Sequence, residues 1–254
     1  MTKAIFLGTG VSVITRKRHS PGLLVETERA HRLLFDCGPG TAQTLEAMRY
    51  SVSKLDNIFL THLHADHALD YATIVNDRAF TTRDPLHVYG PKGLERHTRT
   101  LFIKLFPDLA SKLGCFKYLT AEEVRKGLVA EKADWKVSCA PAEHAGGLSY
   151  RIDSAGKSLL YSGDTGSCRS LVELGREVDL AVIECSFPDS ASLRGEHLYP
   201  LLVGKMASKM KAKRVILTHL YPECEGREEE MLRQAERHFA GEISIAEDGM
   251  RVKI

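Results

Sequence analysis

The chain has no C-x-x-C pair. Its six cysteines, Cys37, Cys115, Cys139, Cys168, Cys185 and Cys224, stand far apart, which excludes a zinc ribbon or a redox dithiol and leaves reduced, mostly buried thiols as the expectation. An excess of either charge is also lacking: 35 Lys plus Arg stand against 33 Asp plus Glu, a net charge of +2. A field that weak does not drive bulk binding to nucleic acid or membrane, so an anionic substrate has to be gripped locally. No apolar stretch is long enough to span a bilayer, and the run Ala4-Ile5-Phe6-Leu7 is too short for a signal peptide, so a cytoplasmic protein is expected. There is no low-complexity linker either. With 254 residues, 43% of them hydrophobic, the chain can bury a sizeable core and is expected to form a single domain over 1–254.

What the sequence does contain is an alternation of short β-branched or aliphatic runs with amphipathic segments, an α/β pattern. Strands are expected at Ala4–Leu7, Leu23–Thr27, Arg32–Phe35, Asn57–Thr61, Leu86–Tyr89, Lys136–Ala140, Ser149–Ile152, Ser158–Tyr161, Leu180–Glu184, Arg214–Thr218 and Ile243–Ile245. Helices are expected at Gly40–Met48, Lys92–Phe106, Ala121–Lys126, Cys168–Gly175, Tyr199–Met210 and Glu228–Phe239. The run Asn57-Ile58-Phe59-Leu60-Thr61-His62-Leu63 recurs as Arg214-Val215-Ile216-Leu217-Thr218-His219-Leu220, and Arg32–Asp36 is echoed by Lys157–Tyr161 leading to Asp164. Two similar halves follow, each a sheet with helices outside, the sheets facing one another in a four-layer αβ/βα sandwich; chance recurrence of short apolar runs is the bland alternative.

The chemical signal is His62-Leu63-His64-Ala65-Asp66-His67, an H-x-H-x-D-H run directly after an apolar strand. Neutral imidazoles and carboxylates are what a borderline cation such as zinc accepts, and four of them within six residues converge only if the backbone turns sharply at a strand end. One loop cannot fill two coordination shells. His144, Asp164 and His219 each sit just beyond the carboxyl end of another apolar run, where open α/β sheets place their ligand crevices. Each alone is more often a structural residue; together they reinforce one another.

At these residues the sequence resembles the metallo-β-lactamase-fold hydrolases, and within them the ribonuclease Z and related phosphodiesterase branch. The resemblance runs through Phe6-Leu7-Gly8-Thr9-Gly10, Phe35-Asp36-Cys37-Gly38, Phe59–His67, Val88-Tyr89-Gly90-Pro91, Pro141-Ala142-Glu143-His144, Ser162-Gly163-Asp164-Thr165 and Leu217-Thr218-His219. It implies a dinuclear metal-dependent hydrolase, zinc being expected and manganese or iron also accepted by such donors. One ion is held by His62, His64 and His144 and the other by Asp66, His67 and His219, with Asp164 bridging and a bridging hydroxide as nucleophile. Asp66, Asp36 and His197 are the residues expected to act in catalysis: Asp66 as a ligand, Asp36 by orienting a ligand histidine through its free ring N–H, and His197 as proton donor to the leaving oxygen. Asp36 also reads as a strand-end cap, and His197, followed by Leu198 and Tyr199 where the family has small hydroxyl residues, also reads as a helix-start histidine. His19, His31, His87, His97 and His238 carry no such placement.

One departure narrows the substrate. Ribonuclease Z chains carry a long arm for transfer RNA between the positions of His144 and Asp164, and here only Ala145–Gly163 intervenes, room for two strands and a turn. Arg78, Arg83, Lys92, Arg96, Arg99 and Lys104 are mixed with acids and apolar residues, and read as a solvated face rather than a phosphate track. A small or nucleic-acid-derived phosphodiester is therefore expected, with a transfer-RNA 3′-processing endoribonuclease as one alternative and a lactonase or thioesterase, attacking an acyl carbon with the same metals, as another. A diiron oxygen reductase has glutamate where this chain has His64. A homodimer, presenting the scattered arginines across a shared surface, is kept as an expectation.

Overall fold

In a computed structural model describing residues 1–254, the strands form two sheets of seven. The first holds β1 (Lys3–Gly8), β2 (Gly22–Glu26), β3 (Arg32–Phe35), β4 (Asn57–Phe59), β5 (Leu86–Gly90), β6 (Leu119–Glu123) and the C-terminal β14 (Arg251–Lys253), in the order β14-β1-β2-β3-β4-β5-β6. The second holds β7 (Gly127–Lys132), β8 (Trp135–Pro141), β9 (Leu148–Ser154), β10 (Lys157–Tyr161), β11 (Leu180–Glu184), β12 (Arg214–Thr218) and β13 (Glu242–Ile245), in the order β13-β12-β11-β10-β9-β8-β7.

Why the central strands read as unbroken apolar runs follows from their burial on both faces. Along β1, Ile5 and Leu7 point outward to α1 (Thr41–Ala47) and α3 (Asp70–Thr81), packing with Leu45, Ile74 and Val75. Their neighbours Ala4 and Phe6 point inward, to the space between the sheets, as a two-residue period requires. On the inner face of the first sheet Phe35 stacks on its neighbour Phe59 with centroids 4.9 Å apart, and Tyr150 of β9 packs against both from across the space. On the far side Leu160, Ile183 and Leu217 pack against Val203, Met206 and Met210 of α7 (Pro200–Met210). The outer layer there is completed by α6 (Arg169–Leu174) and α8 (Glu228–Glu236). Three apolar layers thus separate four layers of secondary structure, as the pattern of the sequence implies. Five cysteines are buried, Cys168 is half-buried, and all six are free.

Both sheets use one pattern of pairing. Read from β14 or from β7, three antiparallel pairings are followed by three parallel ones. The two halves are real, and β3 and β10 occupy matching places, as the Arg32–Asp36 echo requires. The other echo is one strand out of step: β4 corresponds in position to β11, whereas the apolar run ending in Leu-Thr-His pairs it with β12. Burial selects apolar residues for both strands and donor chemistry selects a histidine after each, so similarity there does not report equivalence.

Other expectations are corrected. The helix expected at Ala121–Lys126 is the end of β6 and the turn that follows it. Only Leu119 of β6 is fully buried, so its glutamates read as helical, but parallel pairing with β5 decides the outcome. β7 and β14 were not anticipated for the same reason, being edge strands with few apolar residues. The helix expected at Lys92–Phe106 is α4 (Leu94–Arg99) continued by a π-helical stretch, Thr100–Leu105; α5 (Pro107–Ser111) and α3 were missed. Arg78 belongs to no solvated face: it is fully buried in α3, with its guanidinium on main-chain carbonyls.

Candidate metal centre

The donors arise where strands of both sheets end on the same edge of the sandwich. After β4 the chain passes Thr61 and His62 and turns into the single helical turn α2 (Ala65–Ala68), whose His67 and Ala68 amides donate to the His64 carbonyl. That is the sharp turn that the H-x-H-x-D-H spacing demands. Two glycines make room for it. A Cβ on Gly38 would stand 1.9 Å from the Asp66 carbonyl oxygen, and Gly163, at φ +58°, lies against Thr61 so closely that a Cβ would meet its side chain at 2.6 Å. Asp36 and His219 themselves take left-handed φ of 56° and 59°, a conformation costly for side chains with a Cβ and common where geometry serves a site.

All seven donors read from the sequence are brought together, in two groups that share Asp164. Its Oδ1 lies 3.1 Å from His219 Nε2 and 3.3 Å from His67 Nε2, and Asp66 Oδ2 lies 3.6 Å from that same His67 atom. Its Oδ2 faces His62 Nε2 at 3.8 Å and His144 Nε2 at 3.9 Å, with His64 Nδ1 3.5 Å from His144 Nε2. His62, His67, Asp164 and His219 are buried, whereas His64 is exposed at the rim.

Four of the five imidazoles, all but His64, are oriented from behind. Asp36 accepts from the Thr61 amide at 2.7 Å, the Thr61 hydroxyl at 2.8 Å, His67 Nδ1 at 2.8 Å and the Tyr161 hydroxyl at 3.0 Å. Because the Thr61 hydroxyl donates to Asp36, it accepts from His62 Nδ1 at 3.1 Å. Glu184 plays the same part at the end of β11: it accepts from the Ser186 hydroxyl at 2.8 Å, which in turn accepts from His219 Nδ1 at 2.9 Å. His144 Nδ1 donates to the Glu196 carbonyl at 3.3 Å. With Nδ1 protonated on all four rings, each Nε2 lone pair is left facing the centre.

A cation fits this arrangement on two observations. His62 Nε2 and Asp164 Oδ1 are buried without any hydrogen-bond partner, a cost that a bound ion removes. His67 Nε2 and His219 Nε2 stand 3.3 Å apart with lone pairs turned toward one another, which only a shared proton or a cation makes favourable. The titration behaviour agrees. Burial, reinforced by the His67 charge, pushes His62 down to about 2, so its nitrogen is free to ligate. Burial alone would lower His67, but the charges of Asp164 and Asp36 hold it well above its ordinary value, so without an ion its Nε2 keeps a proton at the place where a cation would stand instead. Although burial works against ionisation of Asp66, its contacts with His219 and His67 bring its carboxyl to about 2.

His197 enters beside this centre. Its ring lies 4.9 Å from His144 and 5.8 Å from His219, and Nδ1 is 2.8 Å from Glu184 Oε1. Burial lowers its pKa, but the hydrogen bond and charge of Glu184 more than offset this and leave it raised. Sequence reasoning missed Glu184, Ser186 and Thr61. Glu184 ends a strand as the other stations do, but nothing near it in sequence marks it as the partner of a histidine. His19, His31, His87, His97 and His238 lie outside the cluster; His19 pairs with Asp248 and His31 with Asp56.

The β-lactamase superfamily domain matches residues 31–220. This chain belongs to that superfamily. Within it the similarity lies with ribonuclease Z: the protein of that name from Listeria monocytogenes is 30% identical over 85% of this chain and 87% of its own length. That from Methanosarcina acetivorans is 27% identical over 100% of this chain and 98% of its own. Its alignment runs over 311 positions against 254 residues here, so at least 57 of them have no counterpart in this chain. Solved metallo-β-lactamase folds superpose along the whole chain: YhfI from Bacillus subtilis with a TM-score of 0.81 and the short form of human tRNase Z with 0.80, each 22% identical, covering 99% of this chain and nearly all of the other. A superfamily member with these donors is a divalent-metal protein.

Proposed function

We propose that this metal-dependent hydrolase cleaves small or nucleic-acid-derived phosphodiesters at a two-ion centre, held by His62, His64 and His144 on one side, Asp66, His67 and His219 on the other, and Asp164 between. The observation that carries the reading is the Asp164 carboxylate, whose two oxygens face the two donor groups separately at 3.1–3.9 Å. Five imidazoles and two carboxylates suit zinc. Such a pair of ions activates water and neutralises charge on a displaced oxygen. The chain's own residues do the rest. Asp36, through His67 directly and His62 by way of Thr61, and Glu184, through Ser186 and His219, fix the donor tautomers. His197 holds a proton on Nδ1 toward Glu184, which leaves Nε2 to deliver one to the leaving oxygen.

The relatives are named as ribonucleases, which favours phosphorus over an acyl carbon and sets the lactonase and thioesterase reading aside. The interval between His144 and Asp164 limits how large a substrate can be held in register. It is filled by β9 and β10, joined at Ala155-Gly156 with both φ positive, a two-residue hairpin with no arm to carry remote phosphate contacts. Homodimerisation is supported by the groove of about 830 Å³ between α3 and α5, where Phe80 (72% exposed) and Phe106 (47%) stand at the surface; a sedimenting species of monomer mass would remove it. The centre itself is tested by Asp164→Ala. Both ions lose a donor, so metal content measured by mass spectrometry is expected to fall together with diester hydrolysis. Full metal content with near-normal turnover would overturn the shared role of Asp164.

A further inference from the structure

Tyr221 and Phe187 form a stacked pair beside the candidate centre that no role described so far requires. The rings lie 4.9 Å apart at 14°, and Tyr221 is 6.3 Å from His197 and 6.4 Å from His219 by ring centroids. Phe187 is buried, at 2% exposure, whereas Tyr221 is half-exposed, unlike the buried phenols Tyr150 and Tyr161, whose hydroxyls donate to the Leu60 carbonyl and to Asp36. Arg194 closes the group. Its guanidinium carbon lies 5.1 Å from the Phe187 ring and 5.9 Å from the Tyr221 ring, and the group pairs with Glu223.

The frame that fixes this group is the frame of the centre. Phe187 follows Ser186, which orients His219, and Tyr221 is two residues beyond His219 itself. The Tyr221 amide donates to the Ser186 carbonyl at 3.2 Å, and the Cys224 thiol donates to the same oxygen at 3.4 Å. A phenol backed by a buried ring loses little entropy on meeting a planar ligand, because one of its faces is already packed. A guanidinium at the edge, 65% exposed, supplies a cation and a second flat surface, the combination on which nucleobases stack.

We propose that Tyr221, backed by Phe187 and flanked by Arg194, is a stacking subsite for a nucleobase attached next to the scissile phosphate. This rests on the phosphodiester reading of the neighbouring centre for its orientation, but its recognition element is the base. Stacking on an aromatic side chain is worth about 1–3 kcal/mol per base, roughly a 5- to 150-fold preference in affinity. It tolerates all four bases, since each presents a flat face.

The test is calorimetric binding of uridine 5′-monophosphate and adenosine 5′-monophosphate to the full chain, with ribose 5-phosphate as the base-free control. Wild-type protein is expected to bind both nucleotides at least about fivefold tighter than ribose phosphate. The ratio is expected to collapse toward one in Tyr221→Leu, to persist in Tyr221→Phe, and to fall in part in Arg194→Ala. A wild-type ratio near one, or a ratio unchanged in Tyr221→Leu, overturns the subsite. Loss of the ratio in Tyr221→Phe as in Tyr221→Leu also overturns it, because the ring rather than the hydroxyl is the element proposed. A wild-type ratio that stands while no diester is hydrolysed supports the subsite and counts against the phosphodiesterase reading alone.

Discussion

At the scale of residues, the sandwich edge is a set of paired donors and orienting groups, and the two orienting carboxylates differ in what they leave exposed to substrate. Asp36 is fully buried and spends its oxygens on Thr61, His67 and Tyr161, so it reaches substrate only through the rings it holds. Glu184 is buried as well, but it also holds His197, whose side chain reaches the surface at 11% exposure. His197→Ala is therefore expected to lower turnover by about 10²–10⁴-fold on a diester whose leaving group has a high pKa, and much less on a nitrophenyl diester that needs no proton. Rates measured on both substrates check this, and an equal loss on the two would take the acid role from His197. The convergence of His62, His64, Asp66 and His67 was legible because four donors within six residues have little else to do. Glu184 was not, because nothing near it in sequence marks a carboxylate 13 positions before the histidine that it holds.

Elements meet at buried ionic groups whose partners are far apart in the chain. Arg78 of α3 donates to the carbonyls of Val52, Ser53, Leu55 and Asp84 at 2.8–3.2 Å, tying the turn before β4 and the loop before β5 to the helix. No carboxylate pairs with it. Arg78→Met fills similar space but strands those carbonyls, and a loss of at least about 2 kcal/mol is expected in urea unfolding; a loss within error of zero would mean that water satisfies them. Asp179 plays a comparable part before β11, accepting from the Ser158 amide at 2.9 Å and from Lys213 Nζ at 2.8 Å. Burial works against its ionisation, but Lys213, Ser158 and Lys157 bring its carboxyl down to about 2. The folded value lies below the unfolded one of about 3.9, so its contribution is complete above about pH 4 and is lost as pH falls toward 2. Asp179→Asn is expected to flatten the stability profile in that window and to leave its shape near neutrality unchanged; a profile as steep as wild type between pH 4 and 2 would assign the acid sensitivity to other carboxylates.

For the whole molecule, the balance of charge and the short β9–β10 hairpin decide what can be bound in register. A precursor transfer RNA needs phosphate contacts far from the centre, and each makes affinity fall with salt. With a net charge of +2 and no arm between His144 and Asp164, cleavage of small diesters is expected to change little across a salt series and to exceed cleavage of precursor RNA at every point. A steep, salt-sensitive preference for the precursor would reverse the assignment.

The sequence by itself determined the α/β class, the two halves, the buried thiols and the seven donors at strand ends, because each is written in local chemistry: apolar runs buried on both faces, small residues at turns, ligand types too dense to be incidental. Only the tertiary structure decided the rest. β6, β7 and β14 are strands because a neighbouring edge offers its hydrogen bonds, and Ala121–Lys126 lost its helical reading to that pairing. Arg78 is interior because two separate segments, 52–55 and 84–85, turn their carbonyls toward one point. Thr61 is held on Asp36 because β3 lies beside β4, and Ser186 orients His219 while Phe187 meets Tyr221 because the parallel strands β11 and β12 bring loops distant in sequence to one edge. Those contacts depend on which strands lie side by side, and a one-dimensional pattern of apolar and polar residues carries no record of that order.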